Sequence, residues 1–415
     1  MIISFCSNAS VSFNDYFENK TVRMNYAIAG SAPKTEIFVS KYFVTDIWAG
    51  TKKHLTDCRE YGPFRIDILD KISGILIYSQ SFSSLFFEWQ GLTEAASTTA
   101  SYREAVRFPL PKSDAVINIY QRDSELKFQK IFTTDFNPSS YFINKEKNDI
   151  YPSKIIYGDN KTDNKVDLVI IPDGYSQNEM DKFEKRANEY AQHLFMFEPY
   201  KSNSDKFNIR IVLAPSFDSG VDLPGQGIWK STLLDCNYWT FNMPRYLTTE
   251  NYWKVCDVAS CVPWDHVVIL CNSDIYGGGG IYNYYSIFSA ENSQSLEVFV
   301  HEFGHAFSGL GDEYESAGAN DSYPTEYKLE PYEPNLTSLV DFKSKWADLV
   351  DKKTPVPTPK TSKYDSKVGA FEGGNYTEKG IFRPTMHCMM HDLQNKFYCP
   401  VCERITQDII NYWTD

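Results

Sequence analysis

The five residues His301-Glu-Phe-Gly-His305 constrain this 415-residue chain more than any other stretch. They lie in Leu296-Glu-Val-Phe-Val-His-Glu-Phe-Gly-His-Ala-Phe-Ser-Gly-Leu-Gly-Asp-Glu-Tyr314. There Leu296, Phe299, Val300, Phe303, Phe307 and Leu310 recur at helical spacing. The segment reads as a helix with one buried face. Imidazoles four residues apart project one turn apart on the same side, close enough to hold one metal ion. Neutral imidazole nitrogens suit Zn²⁺ at about 2.0–2.1 Å. Glu302 is displaced around the helix from His301. It can reach an attacking water without being a ligand, which is where a general base belongs. Matches of this length arise by chance, but this one sits on an apolar-faced helix. Polar residues 291–295 are candidates to cap it, and Gly309 and Gly311 to end it. Gly304 costs roughly 1 kcal/mol relative to Ala, which close packing against a neighbour would offset.

A hydrolytic zinc takes three protein ligands and one open position. Asp312 and Glu313 follow Gly309-Leu-Gly311, whose glycines let the chain turn sharply toward the metal. The metzincin pattern has its glycine three residues and its third ligand six residues after the second His. Here Gly309 and Asp312 each fall one residue later. Asp312 is the preferred third ligand and Glu313 the alternative. A more distant Glu326, Glu330 or Glu333, as in gluzincins, is a third arrangement. The plain reading of Asp312-Glu313 is a solvated acidic loop end.

Composition bounds the class. Hydrophobic residues make up 42% and charged residues 23%, as in a globular protein of two to three domains. A net charge of −13 argues against nucleic acid or an anionic membrane as partner. No run of about 18 apolar residues exists, so no membrane span is expected. The nine cysteines contain one Cys-x-x-Cys, Cys399-Pro-Val-Cys402, and no second to complete a four-cysteine zinc ribbon. The expectation is an exported protein, secreted or at the cell surface, with some disulfides and at least one free thiol. Cys388 is expected to bond Cys399 or Cys402, and Cys256 with Cys261 is a second candidate pair. Met1-Ile-Ile-Ser-Phe-Cys6 is too short and uncharged for a complete signal peptide. It reads either as an ordinary N-terminus or as the tail of a clipped leader. In the second case Cys6 is a candidate lipid anchor, as in an outer-membrane lipoprotein.

Residues 1–148 read as a β-sandwich accessory domain. Val22–Ala29, Glu36–Val39, Phe64–Leu69, Ile75–Tyr78, Ala105–Phe108 and Ala115–Tyr120 alternate or form short apolar runs between turn residues. His54 and Cys58 lie in a polar loop and read as structural. Asn137-Pro138 and Asn148–Pro152 mark a hinge. Residues 149–415 read as an α/β catalytic domain with a mixed sheet, which makes the whole chain α+β. Val166–Ile171 is a strand buried on both faces. Ser176–Phe197 follows as a helix with a Ser176/Glu179 capping box, then a strand at Asn208–Ala214, giving a βαβ unit. The strand His266–Cys271 leads through Gly277–Gly280 to Ile281–Phe288. The glycine run lacks the Lys and helix of a phosphate loop. It reads either as a flexible hairpin tip or as an edge where a peptide pairs with Gly278, Gly279 and Gly280.

These residues resemble the bacterial IgA-peptidase family of zinc metallopeptidases, which is metzincin-like. The resemblance rests on His301-Glu-x-x-His305 with Gly309-x-x-Asp312-Glu-Tyr314. It extends to Pro172-Asp-Gly-Tyr175, Ser219-Gly-Val-Asp222, Tyr276–Tyr282 and Cys399-Pro-Val-Cys402. It covers roughly 150–415, and the preceding segment looks like the N-terminal domain that accompanies this catalytic domain. It implies one catalytic zinc on His301, His305 and Asp312, Glu302 as general base, and a turn bearing Met386, Met389 or Met390 beneath the metal. Tyr314 is a candidate substrate contact. Protein or peptide is the implied substrate, with immunoglobulin A and other host or gut glycoproteins as candidates. Two other functions fit the residues: a surface binding module with a structural or degenerate zinc site, and a gluzincin-type aminopeptidase. An intact Glu302 argues against the first, since a structural site needs no carboxylate beside its first His.

Overall fold

The computed structural model describes residues 11–145, 149–315 and 329–415. Cys6, Asn148 of the expected hinge, and Glu326 lie outside the described residues. The first part of the chain runs α1 (Phe13–Tyr16), β1 (Phe17–Ser31), β2 (Lys34–Thr45), β3 (Phe64–Asp70), β4 (Leu76–Phe82), α2 (Leu85–Gln90), β5 (Ala100–Pro111), β6 (Ala115–Arg122) and β7 (Phe128–Phe136). Its strands form two antiparallel sheets, β2-β1-β5 and β4-β3-β6-β7. Alternate residues point inward, as strand geometry requires. Val22, Met24, Tyr26 and Ile28 of one sheet join Ile66, Ile68, Ile117 and Ile119 of the other in a single apolar cluster. The expected strands fall within β1–β6, except that Ile75 lies just ahead of β4. β7 carries no clear alternation because it is an edge strand, largely exposed apart from Phe136.

The rest continues with β8 (Ser153–Tyr157), β9 (Val166–Asp173), α3 (Met180–Leu194), β10 (Phe207–Val212), α4 (Tyr252–Ala259), β11 (His266–Cys271), β12 (Gly278–Ile281), β13 (Tyr285–Ser289) and α5 (Ser295–Ser308). It closes with β14 (Phe371–Gly374), β15 (Thr377–Arg383) and α6 (Pro400–Thr414). The chain is thus mixed α+β. One six-stranded sheet has the order β12-β13-β11-β9-β10-β8. Its four inner strands are parallel and its edges, β12 and β8, antiparallel. The βαβ unit is β9–α3–β10, and the Ser176/Glu179 capping box is formed. One 3-10 turn precedes α3, which stops at Leu194 rather than Phe197.

Every residue of β9 is buried, and alternation decides which layer each meets. Leu168 and Ile170 pack with α3 and α5, while Val169 and Ile171 join α4 and the N-terminal strands. The N-terminal part therefore covers one face of the central sheet. Arg107 donates to the carbonyls of Trp264 (2.7 Å) and Asp265 (2.9 Å) while lying over the Trp264 ring. Arg23 pairs with Asp257 at 2.5 Å. Arg59 lies 3.5 Å above Tyr412 of α6, and His54 stacks on the same ring. Among the described residues no helix is long and apolar enough to cross a membrane.

His266 opens β11 edge-on to Phe303 and Phe307 of α5 and to Trp413 of α6. Burial, aided by Arg107 and Arg59, lowers its pKa from 6.5 to about 3. The neutral ring is favoured in the fold, so stability present above about pH 6.5 drains away as pH falls toward 3. A His266→Gln protein is expected to lose less stability between pH 6.5 and 4 than the parent. Urea unfolding at both pH values measures this, and equal losses would reject it.

Candidate metal centre

α5 carries the His-Glu-x-x-His residues and ends where glycine permits. Gly309 takes a φ of 65° and caps the helix with its N–H. The start departs from expectation. Gln294 makes no side-chain cap, and the Ser295 hydroxyl bonds the Ser289 carbonyl instead. Gly304 has the expected reason. An added Cβ would lie 2.7 Å from the Tyr398 hydroxyl and 3.1 Å from the Met390 sulfur.

Three donor atoms converge beside this helix. His301 Nε2 and His305 Nε2 are 3.1 Å apart. Asp312 Oδ1 lies 3.1 Å from the first and 3.3 Å from the second. Bonds of about 2.0–2.1 Å to a tetrahedral zinc imply ligand edges of about 3.3–3.4 Å. The ring orientation is set from behind. His301 Nδ1 faces the Met389 carbonyl at 3.2 Å, and His305 Nδ1 faces the Leu310 carbonyl at 2.5 Å. Carbonyls only accept, so each Nδ1 carries a proton and the neutral ring presents its lone pair at Nε2. Asp312 Oδ1 is buried without a hydrogen-bond donor.

The electrostatics ask for a cation at that point. Burial alone would lower the His305 pKa and raise that of Asp312. Instead the Asp312 charge raises His305 to about 9, and the imidazoles hold Asp312 well below the carboxylate range. Glu302 keeps some exposure. Burial still raises its pKa against the pull of His301 and His305.

The glycine run is a strand and not a hairpin tip. Gly278–Ile281 forms β12, and the chain reverses at Tyr282–Tyr284. A Cβ at Gly280 would stand 2.1 Å from the Glu302 carbonyl oxygen, and one at Gly278 would stand 3.2 Å from Glu302 Oε1. Glycine is needed because this edge strand lies directly against α5. Tyr246 bridges Gly278 from the outer side.

Of the three methionines, Met389 and Met390 are fully buried. Met389 supplies the carbonyl behind His301, and the Met390 carbonyl accepts the Glu313 N–H at 2.8 Å. Asp312 and Glu313 are not a solvated loop end, being 7% and 0% exposed. Their side chains diverge. Glu313 turns away from the imidazoles to Asn335 and Cys402, at 3.0 and 3.1 Å. Glu330 bonds Ser338 and the Asp341 N–H. Among the described residues the group at this centre holds only His301, His305 and Asp312.

The expected bridges from Cys388 and between Cys256 and Cys261 are absent, since none of these cysteines is disulfide-bonded. Cys58 is disulfide-bonded.

Tyr376 belongs to the centre and carries no sequence signal. Its hydroxyl donates to Asp312 Oδ2. It sits in the two-residue turn between β14 and β15, where Asn375 and Tyr376 have φ of 49° and 64°. Such a turn favours Asn at its first position, but Tyr at positive φ is rare. Tyr314 packs edge-on to Tyr376 at 5.0 Å. Removing the bond that orients Asp312 should loosen the metal. Tyr376→Phe is expected to weaken metal affinity by roughly 10–100-fold, with the fold unchanged. Competition against a chelating dye measures it, and unchanged affinity would deny Tyr376 this part.

A site of this kind suits metal-assisted hydrolysis. A family model described as IgA Peptidase M64 matches residues 156–364 and 360–410. A second, described as Peptidase M64 N-terminus, matches residues 12–133. The chain belongs to this peptidase family, and is accordingly a metallopeptidase whose substrates are proteins or peptides. No curated protein matches the chain.

Proposed function

We propose that the chain is a zinc-dependent endopeptidase with His301, His305 and Asp312 as ligands and Glu302 as general base. The observation that carries this reading is the triangle of bare donor atoms at 3.1–3.3 Å beside Glu302. Two imidazoles and one carboxylate suit zinc and leave its fourth position open. A zinc ion held there supplies Lewis acidity toward the scissile carbonyl and toward water. Glu302 takes the proton of the attacking water and passes it to the leaving amine. The Met389–Met390 turn beneath the imidazoles supports a metzincin-like arrangement.

The substrate runs along the β12 edge. An extended peptide pairs with Gly279 and Gly280, and Tyr314 contacts it from the rim beside Tyr376. Residues 1–148 act as an accessory unit that supports this edge. The Ser83 N–H bonds the Tyr282 carbonyl at 2.9 Å, and Asn283 bonds the Ser81 carbonyl at 2.8 Å. Immunoglobulin A and other host or gut glycoproteins are the substrates to try first. The Cys58 disulfide favours a secreted or cell-surface location.

The test is zinc content with cleavage of a peptide library. Asp312→Ala is expected to lose the zinc of this centre together with activity, with excess zinc restoring part of the rate. An Asp312→Ala protein that keeps the parent's full zinc content at parental affinity would overturn the ligand set.

A further inference from the structure

Behind the first centre lies a second group of ligand-type side chains, Glu313, Cys388, Cys399 and Cys402. All four are 0% exposed. One ligand atom from each lies within 4.8 Å of the others. They come from three places: the loop after α5, the Met-bearing turn, and the first turn of α6. Cys388 Sγ and Cys402 Sγ are 3.8 Å apart. A disulfide needs about 2.05 Å. Two thiolates on one tetrahedral zinc, with bonds of about 2.3 Å, stand about 3.8 Å apart. Cys402 Sγ is 3.1 Å from Glu313 Oε1. The Cys399 N–H points at Cys388 Sγ from 3.3 Å, as backbone donors commonly do toward metal thiolates.

A purely structural thiol cluster does not account for Glu313. Its Oε1 accepts from Asn335, but Oε2 is buried with no partner at all. A carboxyl oxygen left unpaired in an apolar interior is costly, and a cation removes that cost. Cys399 adds to the preference, since the N-terminus of the 15-residue helix α6 favours a thiolate. Three soft sulfurs with one carboxylate select zinc over hard cations. No open position is needed, so the site reads as structural.

We propose that Cys388, Cys399, Cys402 and Glu313 hold a second, structural zinc ion. Its placement gives it a purpose. Glu313 is the neighbour of Asp312, and Cys388 is the neighbour of Met389, whose carbonyl orients His301. One ion ties the third-ligand loop, the Met turn and α6 together.

The two centres can be separated by experiment. The double variant His301→Ala/His305→Ala, purified under reducing conditions, is analysed for zinc beside the parent chain. Two zinc ions per chain are expected in the parent and one in the variant. Stoichiometric titration with a mercurial should release the variant's zinc. Cobalt in its place should show a sulfur-to-cobalt charge-transfer band. Folded variant protein that holds no zinc and shows no such band would overturn the proposal. So would mass mapping that finds a Cys388–Cys402 disulfide. Glu313→Gln in the double variant should weaken the remaining zinc by at least tenfold, whereas equal affinity would remove Glu313 from the ligand set. These readouts need no activity, so failure of the first centre's assignment leaves them intact.

Discussion

Glu302→Gln is expected to lower kcat by about 10²–10⁴ and to leave the metal in place. The amide has the shape of the carboxylate and fits the space left by Gly278, so packing should not change. It cannot take a proton from water. Glu302 is also not among the three converging donors, so its loss should not loosen them. Elemental analysis beside peptide hydrolysis decides the matter. A variant at parental rate would remove the general-base role. A variant that lost its metal would put Glu302 among the ligands.

Gly280→Ala is expected to harm both stability and catalysis. The new methyl would stand 2.1 Å from the Glu302 carbonyl oxygen and 2.9 Å from His305 Cβ. Real carbons do not approach so closely, so β12 or α5 must move. Overpacking of this kind costs about 1–3 kcal/mol. The displaced backbone belongs to the proposed base, and a shift of about 1 Å at reacting groups can cost about 10²-fold in rate. Thermal unfolding and kcat should fall together. A Gly280→Ala chain with parental Tm and kcat would mean that β12 and α5 are not in contact there.

The sequence made some of this legible and hid the rest. His301 and His305 could be paired because helical spacing alone brings them together. Asp312 could be approached because Gly309 announces the end of the helix. Spacing from Gly309 puts Asp312 ahead of Glu313 but carries no sign of where Glu313 goes. Their side chains part in opposite directions, one to imidazoles and one to thiols. Tyr376 was out of reach, since it lies 64 residues from Asp312 and a hairpin turn delivers it. The carbonyl of Met389 is invisible for another reason: every residue has one. The glycine run left an edge strand and a hairpin tip both open because glycine ordinarily weakens strands. Here the nearness of α5 outweighs propensity. For the thiols of the C-terminal part, redox reasoning points to a disulfide. In the fold Cys388 and Cys402 lie side by side without a bond, with the Glu313 carboxylate beside Cys402.

The groups that aim the imidazoles are drawn from far along the chain, and this sets an order of events during synthesis. His301 leaves the ribosome 88 residues ahead of Met389. At about 5–20 residues per second this is roughly 4–18 s. Through that interval the histidine pair exists without the carbonyl that orients its first ring. For most of it the pair also lacks the hairpin that steadies Asp312. The growing polypeptide thus passes its most exposed stage before its own cutting edge is set.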